Sequence, residues 1–278
     1  MTTRPTDSSL ANPPRGVLHP DFSATHYDLT RTLPPPTLAP FVELFWVVKW
    51  DLRERPPHLQ QNIPHPCVHL VVESGNTRVL GLVKGRFVRQ LQGKGRIVGA
   101  KFKPGGFHPF VAGSVSKLTQ RQWALRRIFG VDSGVLEAPF RQCDEDDIEG
   151  MVELVRNFLL ERAPDTLDPN VERVQRWVRW ITSEPELTSV ESLVERTGLA
   201  TRSVQRLFKD YVGVSPKWTI RLFRIQDALD RVASRDKDWA ELAVELGYFD
   251  QSHFIRDFKA IVGATPGAYC AAASQRTG

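Results

Sequence analysis

Two stretches near the C-terminus repeat one another at a fixed spacing. RLFKDYVGVSP runs from Arg206 to Pro216, and RDFKAIVGATP from Arg256 to Pro266. At an offset of 50 residues, Arg206, Phe208, Lys209, Val212, Gly213 and Pro216 return as Arg256, Phe258, Lys259, Val262, Gly263 and Pro266, with Ser215 replaced by Thr265. Upstream, Leu193 and Gly198 are echoed by Leu242 and Gly247, one residue out of phase. A repeat of this kind means one supersecondary unit built twice.

Each copy reads as two short helices joined by a tight turn. In the first, Thr188 or Ser189 caps a helix whose inner face is Val190, Leu193 and Val194, and Glu191 follows Thr188 at capping-box spacing. Gly198 supplies the left-handed residue that ends it. Thr201 is expected to cap the next helix, with Val204, Leu207, Phe208 and Tyr211 inward and Arg202, Gln205, Arg206 and Lys209 outward. The second copy follows suit: Leu242 with Val244 or Leu246, a stop at Gly247, a cap at Asp250, then Phe254, Phe258 and Ile261 inward. Its outward residues are Gln251, Ser252, Ile255 or Arg256, and Lys259. Two helices about a glycine turn, the second offering Arg, Gln and Ser, match the helix-turn-helix plan.

The outward residues suit nucleic acid. Arg pairs bidentately with guanine and Gln with adenine in the major groove, while Lys and helix N-termini hold phosphate. The same polar faces would also serve as solvated sides of ordinary amphipathic helices, but identical punctuation in two copies favours the binding reading. Between the copies, Ser215 to Ser234 reads as one helix. Ser215 caps it, Pro216 takes the first turn, and Phe223, Ile225, Ala228, Leu229 and Val232 form a stripe. Such a helix spans about 30 Å, close to the ~34 Å repeat of major-groove faces on one side of DNA.

The stretches ESLVERTGLATRSVQRLFKDYVGVSPKWTIRLFRIQDAL and WAELAVELGYFDQSHFIRDFKAIVGATPGAY resemble the DNA-binding domain of the AraC/XylS family of bacterial transcription regulators. The resemblance covers about Val171 to Tyr269 and implies a seven-helix domain with two helix-turn-helix units docked in consecutive major grooves. Matched position by position, the family's base-reading sites fall on Arg202, Gln205 and Arg206 and on Gln251, Ser252 and Arg256. Thr201, Lys209, Lys217, Arg221 and Lys259 are the expected phosphate contacts. Cys270 stands where arginine is common in the family, and Val194 where alanine is usual. The resemblance also implies an activator rather than a repressor, working in the cytoplasm with double-stranded DNA and RNA polymerase. A small-molecule effector and a homodimer are left open.

The charge balance asks for placement rather than bulk. The chain carries a net charge of +5, yet from Val171 onward 16 Lys/Arg stand against 14 Asp/Glu, a surplus of 2. Affinity for DNA would then rest on a few well-placed cations. Cys67, Cys143 and Cys270 are odd in number and far apart, which gives no disulfide framework and fits a reducing compartment. No apolar run approaches the ~18 residues of a membrane helix, so no membrane partner is expected.

The N-terminal half has another texture. Residues 1–22 are rich in Pro, Ser and Thr and read as a disordered leader. FVELFWVVKWDL, HPCVHLVVE, TRVLGLVKG, RFVRQLQG and RIVGAKFKPGG then form short strand-like runs closed by glycines, the pattern of a β-sandwich or barrel. With the following helices, that order resembles AraC-type sensors with a cupin-like barrel. From Gln120 to Ala163 the pattern turns helical; Ile148, Met151, Val152, Val155, Phe158 and Leu159 line one face, suited to packing on the barrel or to a dimer interface. The expected organisation is thus α+β: leader 1–22, β-rich sensor or dimerisation domain 23–163, linker 164–170, DNA-binding domain 171–270 and tail 271–278.

Two patterns raise the question of catalysis. His65, Cys67 and His69 alternate as strand residues on one face would, which makes them candidate metal ligands without an evident fourth. Ser114 and Lys117 have the SxxK spacing of penicillin-binding proteins, but the companion motifs are absent. The expectation is a regulator with no cofactor and no catalytic residues. The alternatives are a metal-dependent cupin-type enzyme with a DNA-binding tail, and a ligand-independent regulator controlled by a partner protein.

Overall fold

A computed structural model describes residues 16–18, 20–184, 186–232 and 238–276. Most of the expected leader lies outside these residues. Its end is folded: Val17 bridges Asn62, and Leu18 is buried among apolar side chains of the helical half. A short helix α1 (Pro20–Ala24) follows.

The β-rich half is one six-stranded antiparallel sheet with a two-stranded ribbon. The strands are β1 (Asp28–Thr32), β2 (Val42–Leu52), β3 (His58–Asn62), β4 (His69–Val72), β5 (Arg78–Leu80), β6 (Phe87–Leu91), β7 (Gly93–Phe102) and β8 (Gln122–Ala124). The sheet order is β1-β2-β7-β4-β5-β8, and β3 pairs with β6. The long β2–β7 pair is the spine. Phe45 sits opposite Ala100 and Val47 opposite Val98, all four at or below 1% exposure, so one face of the pair is core. On the other face Trp46 and Trp50 lie opposite Gly99 and Gly95, where any Cβ would run into the indole rings.

Helices cover the core face. After β8 come α2 (Leu125–Phe129), α3 (Gly134–Gln142) and α4 (Ile148–Leu160). The expected helical run therefore starts with a strand. In α4, Met151, Val152, Val155, Phe158 and Leu159 are buried in the same cluster as Phe45, Val98 and Phe102, which places the helix on the sheet. Asp147 caps it by accepting from the Gly150 amide at 2.9 Å.

The helical half contains α5 (Pro169–Ser183), α6 (Val190–Thr197), α7 (Thr201–Leu207), α8 (Pro216–Val232), α9 (Trp239–Glu245), α10 (Gln251–Val262) and α11 (Pro266–Arg276). Asp168 caps α5, so Pro169 and Asn170, assigned to a linker by the sequence reading, open this helix instead. The two halves are closely joined. Leu18, Ile63 and Leu82 enter the helical core. Gln175 donates to the Pro40 carbonyl at 2.8 Å, and Gln226 to that of Pro64 at 3.2 Å. The turn after β7 packs His108 on Tyr211, while Ser114 and Thr119 donate to the carbonyls of Lys209 and Gly213 at 3.1 and 2.8 Å.

Candidate nucleic-acid interface

The first unit is built from α6 and α7. Ser189, not Thr188, caps α6, accepting from the Ser192 amide at 3.0 Å. Gly198 ends it at φ +65°, which an L side chain adopts at a cost. Ala200 precedes α7 without a side-chain cap, so Thr201 is the first helical residue rather than its cap. From there the periodicity holds. Val204, Leu207, Phe208 and Tyr211 are buried, whereas Arg202, Gln205, Arg206 and Lys209 are exposed.

The second unit repeats this with α9 and α10. Gly247 adopts φ +71°, and Asp250 caps α10 by accepting from the His253 amide at 2.7 Å. Leu246 is the buried member of the undecided pair and Val244 the exposed one. Phe254, Phe258 and Ile261 are fully buried, while Gln251, Ser252, Arg256 and Lys259 are exposed. Ile255 is half-buried, so Arg256 takes the outward position. In each unit the candidate base readers thus share the solvent side of the second helix.

The two copies differ at their ends. α10 runs as an α-helix to Val262, but the matching stretch Phe208–Val212 widens into a π turn. His108 and Ser114 grip that stretch, and Thr119 grips Gly213 directly after it. Hydrogen bonds to the Lys209 and Gly213 carbonyls from another part of the chain compensate for the altered helical ladder.

Between the units, α8 opens with Ser215 accepting from the Trp218 amide at 3.2 Å and spans about 25 Å over its 17 residues. Ile225 and Ala228 of the expected stripe are buried and Phe223 and Leu229 partly so; Ser234 lies outside the described residues. Of the phosphate candidates, Thr201, Lys209, Lys217 and Lys259 are exposed. Arg221 is partly exposed. Its guanidinium lies 3.4 Å from the carboxylate of buried Asp257 and ties α8 to α10, because a buried carboxylate needs a cationic partner more than the surface does.

The metal candidates do not lie along one strand. Pro64 and Pro66 lack the amide donors a ladder needs, so β4 starts only at His69 and the expected alternation from His65 fails. Cys67 and His69 do approach, Sγ to Nε2 at 3.4 Å. Burial pushes the Cys67 thiol up to about 12, and burial with Lys101 nearby pushes His69 down to about 3. Among the described residues, no three His, Cys, Asp or Glu side chains gather as a metal site.

Phe249 lies outside the inward and outward sets that helical spacing marks in the second copy. It sits in the turn before α10 and is 94% exposed. The signal was the one-residue phase slip between the copies, which lengthens the second turn.

Residues 193–272 match a family model described as a helix-turn-helix domain, and residues 30–124 match a domain of unknown function, DUF6597. The chain is 29% identical over 97 residues to the putative HTH-type transcriptional regulator YkgA of Escherichia coli K12, covering 34% of this chain and 41% of that protein. It is 26% identical over 118 residues to the HTH-type transcriptional activator RhaS of Escherichia fergusonii, covering 42% of this chain and 41% of that one. Each match thus spans about two fifths of the relative. Among solved structures, the C-terminal domain of AraT, a response regulator from Geobacillus stearothermophilus, aligns at 25% identity and a TM-score of 0.33, over 39% of this chain and 88% of that domain.

Proposed function

We propose that the chain is a sequence-specific DNA-binding transcription regulator, an activator rather than a repressor. Its two helix-turn-helix units enter consecutive major grooves of one duplex. The observation that carries this reading is the repeated display of Arg202, Gln205 and Arg206 on α7 and of Gln251, Ser252 and Arg256 on α10, all exposed on the solvent side of the second helix of each unit. In the groove, Arg would donate to guanine O6 and N7, and Gln would pair with adenine N6 and N7. Thr201, Lys209, Lys217 and Lys259 would hold phosphates and set the register. Arg221, bound to Asp257, would fix α10 against α8 while its partly exposed side chain reaches phosphate.

The N-terminal half acts as the controlling domain in this reading, through a small-molecule effector or a homodimer, with RNA polymerase as the downstream partner. Its grip on the end of the first recognition helix supports such coupling. The test is selection from random duplex DNA by the full chain at near-physiological salt. Enrichment of a defined motif in two parts is expected. Binding that falls steeply with salt and enriches no motif would overturn the proposal.

A further inference from the structure

Phe249 is 94% exposed, an extreme for a phenylalanine, and it stands directly before Asp250, the cap of α10. An apolar residue in that place ordinarily staples the helix by packing on the fourth helical residue. Here that residue is Phe254, and the neighbouring ring of Tyr248 packs on it instead, with centroids 5.5 Å apart at 62°. Tyr248 is buried, and Arg224 lies over its ring at 5.0 Å. The stapling position is therefore filled without Phe249. The first unit explains why a residue is left over. Its turn runs from Gly198 to Thr201, one residue shorter than the turn from Gly247 to Gln251. There Leu199, 37% exposed, sits in a cleft with Trp177 and Trp180.

We propose that Phe249 is a specificity-determining residue that packs on the 5-methyl group of a thymine in the groove entered by α10. The inference rests on the function proposed above. Phe249 stands two residues before exposed Gln251 and three before exposed Ser252, which open α10, so a groove that receives those side chains receives this ring at its edge. The thymine methyl is the one apolar group that the major-groove edges of the bases present, and aromatic side chains recognise it by contact. Water leaves both surfaces on contact, which favours thymine over cytosine or uracil at that position. The first unit, whose Leu199 is partly sheltered, lacks an equivalent projection.

The experiment uses the full chain and a duplex site obtained by selection, with each thymine replaced in turn by deoxyuridine. One replacement in the half bound by α10 is expected to weaken wild-type binding about fourfold, the worth of one buried methyl-sized group. Phe249→Ala should bind the unmodified site with a similar loss and no longer respond to that replacement. Phe249→Leu should restore part of the response. If Phe249→Ala binds like the wild type with the same thymine responses, the inference is overturned and the ring faces another partner, such as a protein. A loss equal at every thymine overturns it as well. Failure of the underlying function looks different: Arg206→Ala and Arg256→Ala would then leave binding unchanged.

Discussion

The imidazole of His108 lies stacked on the phenol ring of Tyr211, with centroids 3.8 Å apart and planes 20° from parallel. The Tyr211 hydroxyl in turn donates to Asp168, which caps α5, and receives the Asn170 side chain at 3.2 Å. One contact therefore joins the turn after β7, the entry to the helical domain and the π turn of the first recognition helix. A force on any of these three is felt by the others.

Removing the stack should loosen the joint. His108→Ala is expected to cost about 0.5–1.5 kcal/mol, the usual worth of an aromatic pair beyond its buried area. Amide hydrogen exchange would show it as faster exchange in 208–213, with α10 unchanged.

Acid should weaken the same joint. Burial lowers the His108 pKa, although Asp168 and Asp210 act the other way. A released His108 takes up a proton near its ordinary value of about 6.5, so below that pH the undocked state binds more protons. Docking is thus fully favourable above about pH 6.5 and weakens as the pH falls through it. Burial raises the Asp168 pKa, but hydrogen bonds from Tyr211 and Asn170 outweigh it and hold the carboxyl below its usual value, so Asp168 titrates in a lower window. Exchange rates in 208–213 between pH 7.5 and 5.5 check this, and His108→Phe, which keeps a ring, should flatten the dependence.

Two glycines with similar backbones should respond differently to alanine. Gly198 has φ +65° and open space where a Cβ would stand, so Gly198→Ala should cost about 1–2 kcal/mol. Gly213 has φ +94°, and its Cβ would meet Thr119 Oγ1 at 3.0 Å and Val115 at 3.2 Å. Gly213→Ala should therefore destabilise more than Gly198→Ala in denaturant titrations. Equal costs would mean that the turn after β7 yields easily.

Much of the helical half was legible because its signals are local. Gly198, Gly247, Ser215 and Asp250 mark helix ends by backbone chemistry, and Phe254, Phe258 and Ile261 show their burial by spacing alone. What the sequence concealed depends on contacts across long separations. Nothing in RLFKDYV reveals that it widens into a π turn while its twin does not, or that residues 108–119 pack against it. Arg221 reads as a surface cation until buried Asp257, 36 residues later, is seen beneath it. Three strands also escaped notice. β1, β3 and β8 are at most five residues long and mostly polar, so pairing rather than composition makes them strands.

Base and phosphate contacts should separate by substitution. Arg206→Ala is expected to cost about 1–3 kcal/mol and to relax preference at one base position. Lys209→Ala should weaken all sequences alike and reduce the salt slope by about one charge. Competition titrations against single-base variants of a selected site, at two salt concentrations, check both.

The central claim is that both units of this one chain read DNA. Footprinting a selected duplex with the wild type, Arg206→Ala and Arg256→Ala tests it most directly. Two protected patches about one helical turn apart are predicted, one weakened at its own bases by Arg206→Ala and the other by Arg256→Ala. A single patch, or both variants weakening every position alike, would contradict the account.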